Sequence, residues 1–193
     1  MNILLAGVGG QGTVLASRLL AQCGLDKGLR AHTAETIGMA QRGGSVVSHV
    51  RIGEDMFSPL IPKGTADIII GFEPAEAVRC FDYLKPGGAV VVSSRPIRPT
   101  TAILSGSAYD GGAMLDFLKS SAGRLVVVDG ERLAEETGSM RSLNLALLGA
   151  AAGSALGFTT DDIAGAMAKL MAPRHIEANM TALRLGFESV KNS

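Results

Sequence analysis

Tryptophan is absent from this chain, cysteine occurs twice, aromatic residues make up 4% and charged residues only 19%. These scarcities close off several classes of function. Cys23 and Cys80 stand far apart in apolar helical patterns. Neither belongs to a C-x-x-C pair of the kind that holds zinc or an iron–sulfur cluster, so no metal site is expected. Two isolated thiols suit a reduced, intracellular compartment. Lys+Arg 18 balances Asp+Glu 18, and basic residues are scattered, so the electrostatic footprint of a nucleic-acid binder is missing. Met1 to Leu5 run straight into a strand-like stretch without the charged and apolar regions of a signal peptide, and a cytoplasmic location is expected. The longest apolar stretch, Leu143 to Phe158, is interrupted by Asn144, Ser154 and glycines. It falls short of the roughly 20 apolar residues that span a bilayer and reads as a buried helix, so no membrane partner is expected.

At 193 residues the chain fits one medium-sized domain, residues 1–193, with a proper core. Hydrophobic residues reach 47% and the mean hydropathy is +0.28. So little charge has two readings. Either a permanent partner or a homodimer covers part of the surface, or the core is rich in alanine and glycine.

Apolar runs alternate with helical patterns through the first two thirds of the chain. Asn2 to Ala6 reads as a strand, followed by a helix over Thr13 to Cys23 with Val14, Leu15, Leu19 and Leu20 on one side. Leu29 to Thr36 and Ser45 to Ile52 read as strands, the second alternating Val46, Ser48, Val50 against Val47, His49, Arg51. The unbroken Ile68-Ile69-Ile70 within Ala66 to Gly71 is the mark of a strand covered on both faces. Glu73-Pro74 opens a helix to Leu84, which Lys85-Pro86-Gly87-Gly88 stops. Ala89 to Ser93 and Leu125 to Val128 add two buried strands around a helix over Gly112 to Ser121. Beyond Asp129 the pattern is helical, near Gly130 to Thr137, Leu143 to Leu156, Asp161 to Leu170 and Ile176 to Val190. The fold class is therefore α/β, a Rossmann-like doubly wound, mainly parallel sheet with a helical C-terminal part.

Gly7-Val8-Gly9-Gly10-Gln11-Gly12 satisfies G-x-G-x-x-G directly after a strand and at the mouth of a helix. Glycines let the backbone turn tightly and approach a phosphate, which rests against free N–H groups at the positive end of the helix. By itself the motif names an anion site or a tight connection with no ligand. Binding of NAD calls for an acidic residue about 20 positions on. Glu35 arrives slightly late for that and precedes an unusual loop, so a self-contained NAD(P)- or ATP-binding protein is the alternative reading.

The second motif runs from Gly38 to Arg51, GMAQRGGSVVSHVR. Gln41, Arg42, Gly43 and Gly44 place an amide, a planar guanidinium and exposed N–H groups before a strand, a set that suits a carboxylate or phosphate. His49, on the strand, reads as structural.

With the glycine loop, this stretch resembles the gamma-type component of 2-oxoacid:ferredoxin oxidoreductases, and within them the indolepyruvate branch. The likeness continues through Ser58 to Arg79, Asn144 to Gly149 and Asn179 to Leu183. What it implies is a subunit of an oxidoreductase that oxidatively decarboxylates an aryl 2-oxoacid to an acyl-CoA while reducing ferredoxin. Thiamine diphosphate and the iron–sulfur clusters would belong to a larger catalytic partner, through which ferredoxin is reached. Coenzyme A would be a co-substrate that the gamma-type domain helps to dock. No catalytic residue is assigned to this chain, and it binds no cofactor on its own. The expected site is one cleft at the carboxyl ends of the strands, lined by Gly7, Gly9, Gly10, Gln11, Gly12, Gln41, Arg42, Gly43 and Gly44, with Glu73 facing it. Asn144 and Asn179 read as structural amides.

Overall fold

The computed structural model describes residues 1–35, 44–54, 56–97, 109–137 and 142–191. Among them, six strands form one sheet: β1 (Asn2–Val8), β2 (Arg30–Glu35), β3 (Ser45–Gly53), β4 (Ala66–Gly71), β5 (Leu84–Ser93) and β6 (Arg124–Val128), in the order β2-β3-β1-β4-β5-β6. β1, β4, β5 and β6 run parallel, whereas β3 is antiparallel to both of its neighbours, β1 and β2. The helices are α1 (Thr13–Asp26), α2 (Pro74–Arg79), α3 (Gly111–Ser121), α4 (Gly130–Thr137), α5 (Leu143–Ser154), α6 (Thr160–Leu170) and α7 (Pro173–Lys191).

The continuous apolar runs follow from helices on both faces of the sheet. On one face Ile3, Leu5, Ile68, Ile70 and Val91 pack with residues of α1, α5, α6 and α7. On the other, Leu4, Ala6, Ile69, Val90 and Val92 meet Ala77 of α2 and Leu118 of α3. Cys23 belongs to the first layer and Cys80 to the second, so the sheet separates the two thiols. Burial holds both protonated, with pKa values pushed up to about 12 and about 11.

α5 is buried along nearly its whole length, from Leu143 to Ala151, as an all-round apolar helix must be. α7 crosses it so closely that Gly149 and Gly186 each face a carbonyl of the opposite helix, Leu183 O and Ala146 O respectively. Among the described residues no helix is long and apolar enough to cross a membrane.

Two element boundaries between β4 and β5 differ from the sequence reading. The helix opened by Pro74 ends at Arg79, and a 3₁₀ turn over Phe81–Tyr83 follows. β5 then begins at Leu84 and carries Pro86, Gly87 and Gly88 inside it. The register between β4 and β5 slips there and Gly87 adopts φ 74, so residues that read as a stop are an irregularity within a strand.

Candidate functional site

The chain turns back from β1 through the glycine loop into α1. The doubly wound arrangement puts α1 on one face and α2 on the other, so the connections leaving β1 and β4 diverge at the carboxyl edge, the usual ligand position in such sheets. Gln11 bridges that point. Its Oε1 accepts the Val8 N–H at 2.7 Å and its Nε2 donates to Phe72 O at 2.9 Å, joining the ends of β1 and β4. A Cβ on Gly7 would lie 2.8 Å from Gln11 Oε1 and 2.9 Å from Phe72 Cβ, so glycine is what lets the amide lie there.

The loop's own N–H groups are partly occupied as well. Gly9 donates to Gly44 O at 2.9 Å and Gln11 to Val8 O at 3.3 Å. Gly12 caps α1 with φ 83 and no side-chain acceptor, and a Cβ there would sit 2.6 Å from Asn144 Nδ2. Gly10, at φ 96, would meet nothing within 4 Å. Gly10 is therefore the exposed part of the loop. The sequence reading made Gln11 a ligand residue, whereas its amide is engaged within the protein.

Of the second motif, Gly44 is described, and its carbonyl touches the glycine loop through Gly9. Gln41, Arg42 and Gly43 lie outside the described residues. The register pairs Val8 with Ser45, which brings the start of β3 beside the end of β1. Ser45 Oγ donates to Glu76 Oε2 at 2.5 Å, and Arg79 Nε lies 3.4 Å from the same oxygen.

Glu73 is 1% exposed and turned inward rather than into the cleft. Oε2 accepts the Glu76 N–H at 3.0 Å and caps α2. Oε1 accepts the Tyr109 hydroxyl and, at 3.4 Å, the Ile97 N–H. Burial raises its pKa above the ordinary carboxylate value. The two buried glutamates thus tie α2 to the start of β3 and to the chain at Ile97 and Tyr109. Of these features, the sequence signalled only the helix start at Glu73-Pro74; nothing in it marked Ser45 or Tyr109.

The remaining candidates make contacts within the fold. His49, 4% exposed, accepts the Ile61 N–H on Nδ1 at 3.2 Å and stands edge-on to Tyr83. Burial lowers its pKa. Asn144 is 3% exposed and accepts the Leu145 N–H at 2.8 Å, while Asn179 donates to His175 O at 2.7 Å along its own helix. Among the described residues no group of three or more His, Cys, Asp and Glu is placed to hold a metal.

Insertion of β3 also bears on the dinucleotide reading. In a Rossmann fold the acidic end of the second strand lies beside the glycine loop. Here β3 intervenes, so Glu35 is one strand further out, where it accepts a hydrogen bond from Ser17 Oγ at 3.0 Å. Among the described residues, the glycine loop and the acidic end of β2 are not on neighbouring strands.

Known proteins match this chain over nearly its whole length. The family described as pyruvate ferredoxin/flavodoxin oxidoreductase matches residues 2–189. The chain is 37% identical to the indolepyruvate oxidoreductase subunit IorB of Thermococcus kodakarensis, over 98% of this chain and 96% of that one. It is 34% identical to the protein of the same name from Pyrococcus horikoshii, over 98% and 96%. Among solved structures, the gamma subunit of keto/oxoacid ferredoxin oxidoreductase from Geobacter sulfurreducens superposes with a TM-score of 0.72 at 20% identity, covering 100% of this chain and 99% of that one.

Proposed function

The chain belongs to the pyruvate ferredoxin/flavodoxin oxidoreductase family, and on that premise we propose that it is the small subunit of a cytoplasmic 2-oxoacid:ferredoxin oxidoreductase of the indolepyruvate type. The observation that carries this reading is the 37% identity with a named subunit of indolepyruvate oxidoreductase across 98% of the chain. The enzyme converts an aryl 2-oxoacid to an acyl-CoA, and its electrons pass to ferredoxin. Thiamine diphosphate and the iron–sulfur clusters sit in the larger catalytic subunit, where they supply decarboxylation and electron transfer. Support from this chain is chemical: its two thiols lie on opposite faces of the sheet, and a cluster needs about four thiolates. Acting as a single gamma-type domain, the chain completes the complex.

Its carboxyl edge then receives coenzyme A. The Gly10 tip and the uncapped start of α1 offer backbone N–H groups to a phosphate, and Gln41, Arg42, Gly43 and Gly44 complete the cradle. Arg42 supplies the planar donor fork that suits a phosphate or carboxylate.

Two measurements test this reading. The purified chain is expected to show no turnover of indolepyruvate alone and to co-purify with a larger thiamine- and cluster-bearing polypeptide; turnover by the lone chain overturns the subunit assignment. In the reconstituted enzyme, Arg42→Ala is expected to raise KM for coenzyme A about 10-fold with little change in kcat, the size of one lost charge-assisted hydrogen bond. If the Michaelis constants for both coenzyme A and the oxoacid stay unchanged, these loops shape the subunit interface instead.

A further inference from the structure

The side chain of Asn144 has two ends, and the fold accounts for one of them. Its Oδ1 accepts the Leu145 N–H at 2.8 Å at the start of α5, a bond that an aspartate or a serine would accept as well. The other end points across to α1: a Cβ on Gly12 would lie 2.6 Å from Nδ2. Gly12 precedes α1 with φ 83, and no side chain caps that helix. Asn144 is 3% exposed, yet among the described residues its Nδ2 donates to no acceptor.

A buried NH2 group aimed at an uncapped helix start sets donor against donor. α1 is 14 residues long, and its first N–H groups form the positive end of its dipole. α5, 12 residues long, also begins at this contact and has no side-chain cap. Buried donors without an acceptor cost free energy, so the arrangement is favourable only when an acceptor lies between them. Gly12 is partly exposed, and a Cβ on Gly10 beyond it would meet nothing within 4 Å, which leaves a way in from solvent. Backbone N–H groups at a helix start, joined by a neutral side-chain donor, suit a phosphoryl group.

We propose that Asn144 Nδ2 donates to a phosphoryl group lodged at the start of α1, that of coenzyme A on the reading above, on which this rests. The glycine loop then supplies only the backbone half of the site, and the buried helix of the C-terminal part supplies its side-chain donor. A 2-oxoacid carboxylate offers similar oxygens, and the experiment separates the two.

The full chain, as wild type, Asn144→Asp and Asn144→Ala, is titrated with inorganic pyrophosphate and followed by amide NMR; each form is then assayed in the enzyme reconstituted with its catalytic subunit. Asn144→Asp keeps the acceptor for Leu145 and replaces the NH2 group by a carboxylate oxygen, which a helix start favours. It is expected to melt close to the wild type or above it. Pyrophosphate should bind it about 10- to 100-fold more weakly, the worth of a hydrogen bond to a charged group. Asn144→Ala, which adds no charge, should bind about 10-fold more weakly. In the reconstituted enzyme both variants should raise KM for coenzyme A by similar factors and leave KM for the oxoacid where it was. Equal pyrophosphate affinity in wild type and both variants overturns the proposal, as does absence of binding by the wild type. A rise in KM for the oxoacid alone also overturns it, giving the amide to the carboxylate. Weakened pyrophosphate binding with an unchanged KM for coenzyme A is a different result: Asn144 remains a phosphoryl ligand, and the coenzyme A reading falls.

Discussion

Gly186→Ala is expected to destabilise the fold by about 3 kcal/mol or more, at the upper end for overpacking, and to lower the melting temperature by roughly 10 °C for a chain of this size. The reason is the crossing of α5 and α7. A Cβ at Gly186 would lie 1.9 Å from Ala146 O and 2.6 Å from its carbonyl carbon, and a Cβ at Gly149 would lie 2.0 Å from Leu183 O. The obstructing atoms are backbone, so no side chain can swing aside. α5 cannot retreat, because Leu145, Leu147 and Leu148 are fully buried beneath it. α7 must lift outward and loosen Ala182 and Leu183, both 0% exposed. Gly149→Ala should have a similar effect. Because one displacement relieves both clashes, the double variant should cost clearly less than the sum of the two single ones. Gly165→Ala on α6, where a Cβ meets nothing within 4 Å, is the matched control and should be neutral or stabilising by up to about 1 kcal/mol. Thermal and urea denaturation of the four variants measures all of this, and equal melting temperatures for Gly186→Ala and Gly165→Ala would contradict the packing argument.

These glycines also mark where the sequence stops being informative. In the linear chain Gly149 and Gly165 look alike, two glycines in helical patterns, and only the approach of another helix distinguishes them. Features governed by local periodicity were legible. The unbroken isoleucines of β4 marked a strand covered on both faces, and the alternation along β3 marked a strand but not its direction or its cover, since Ser48, His49 and Val50 are all buried. Its insertion between β1 and β2 was not legible, because the residues of the strands do not by themselves fix the strand order. The glycine loop was recognisable as a motif, yet the direction of Gln11 was not: an amide beside a presumed phosphate site could face the ligand or reach back to Val8 and Phe72, and the space above Gly7 decided the matter. Glu73 was read as a cleft residue for a similar reason, since nothing near it in sequence identifies Tyr109 as its partner.

Glu73 gives the second large effect. Glu73→Ala removes at once the acceptors of the Glu76 N–H, the Ile97 N–H and the Tyr109 hydroxyl, at a carboxylate 1% exposed. With roughly 1–3 kcal/mol for each buried polar group left without a partner, and partial relief by water, a loss of about 3 kcal/mol is expected. Glu73→Gln keeps one acceptor oxygen and should lose about 1 kcal/mol. The pH dependence separates charge from packing. Burial raises the folded-state pKa above the ordinary 4.5, so between those two values the folded chain holds a proton that the unfolded chain has released. Wild-type stability should therefore fall as pH rises from about 4.5 through the folded pKa, then level off with respect to this group. Glutamine does not titrate, so the advantage of the wild type over Glu73→Gln should be greatest at the acidic end of that window and shrink above it. Urea midpoints collected for both proteins across the window read this difference directly, and a gap that stayed constant or widened with pH would mean that Glu73 is ionised throughout and that its hydrogen bonds outweigh its burial.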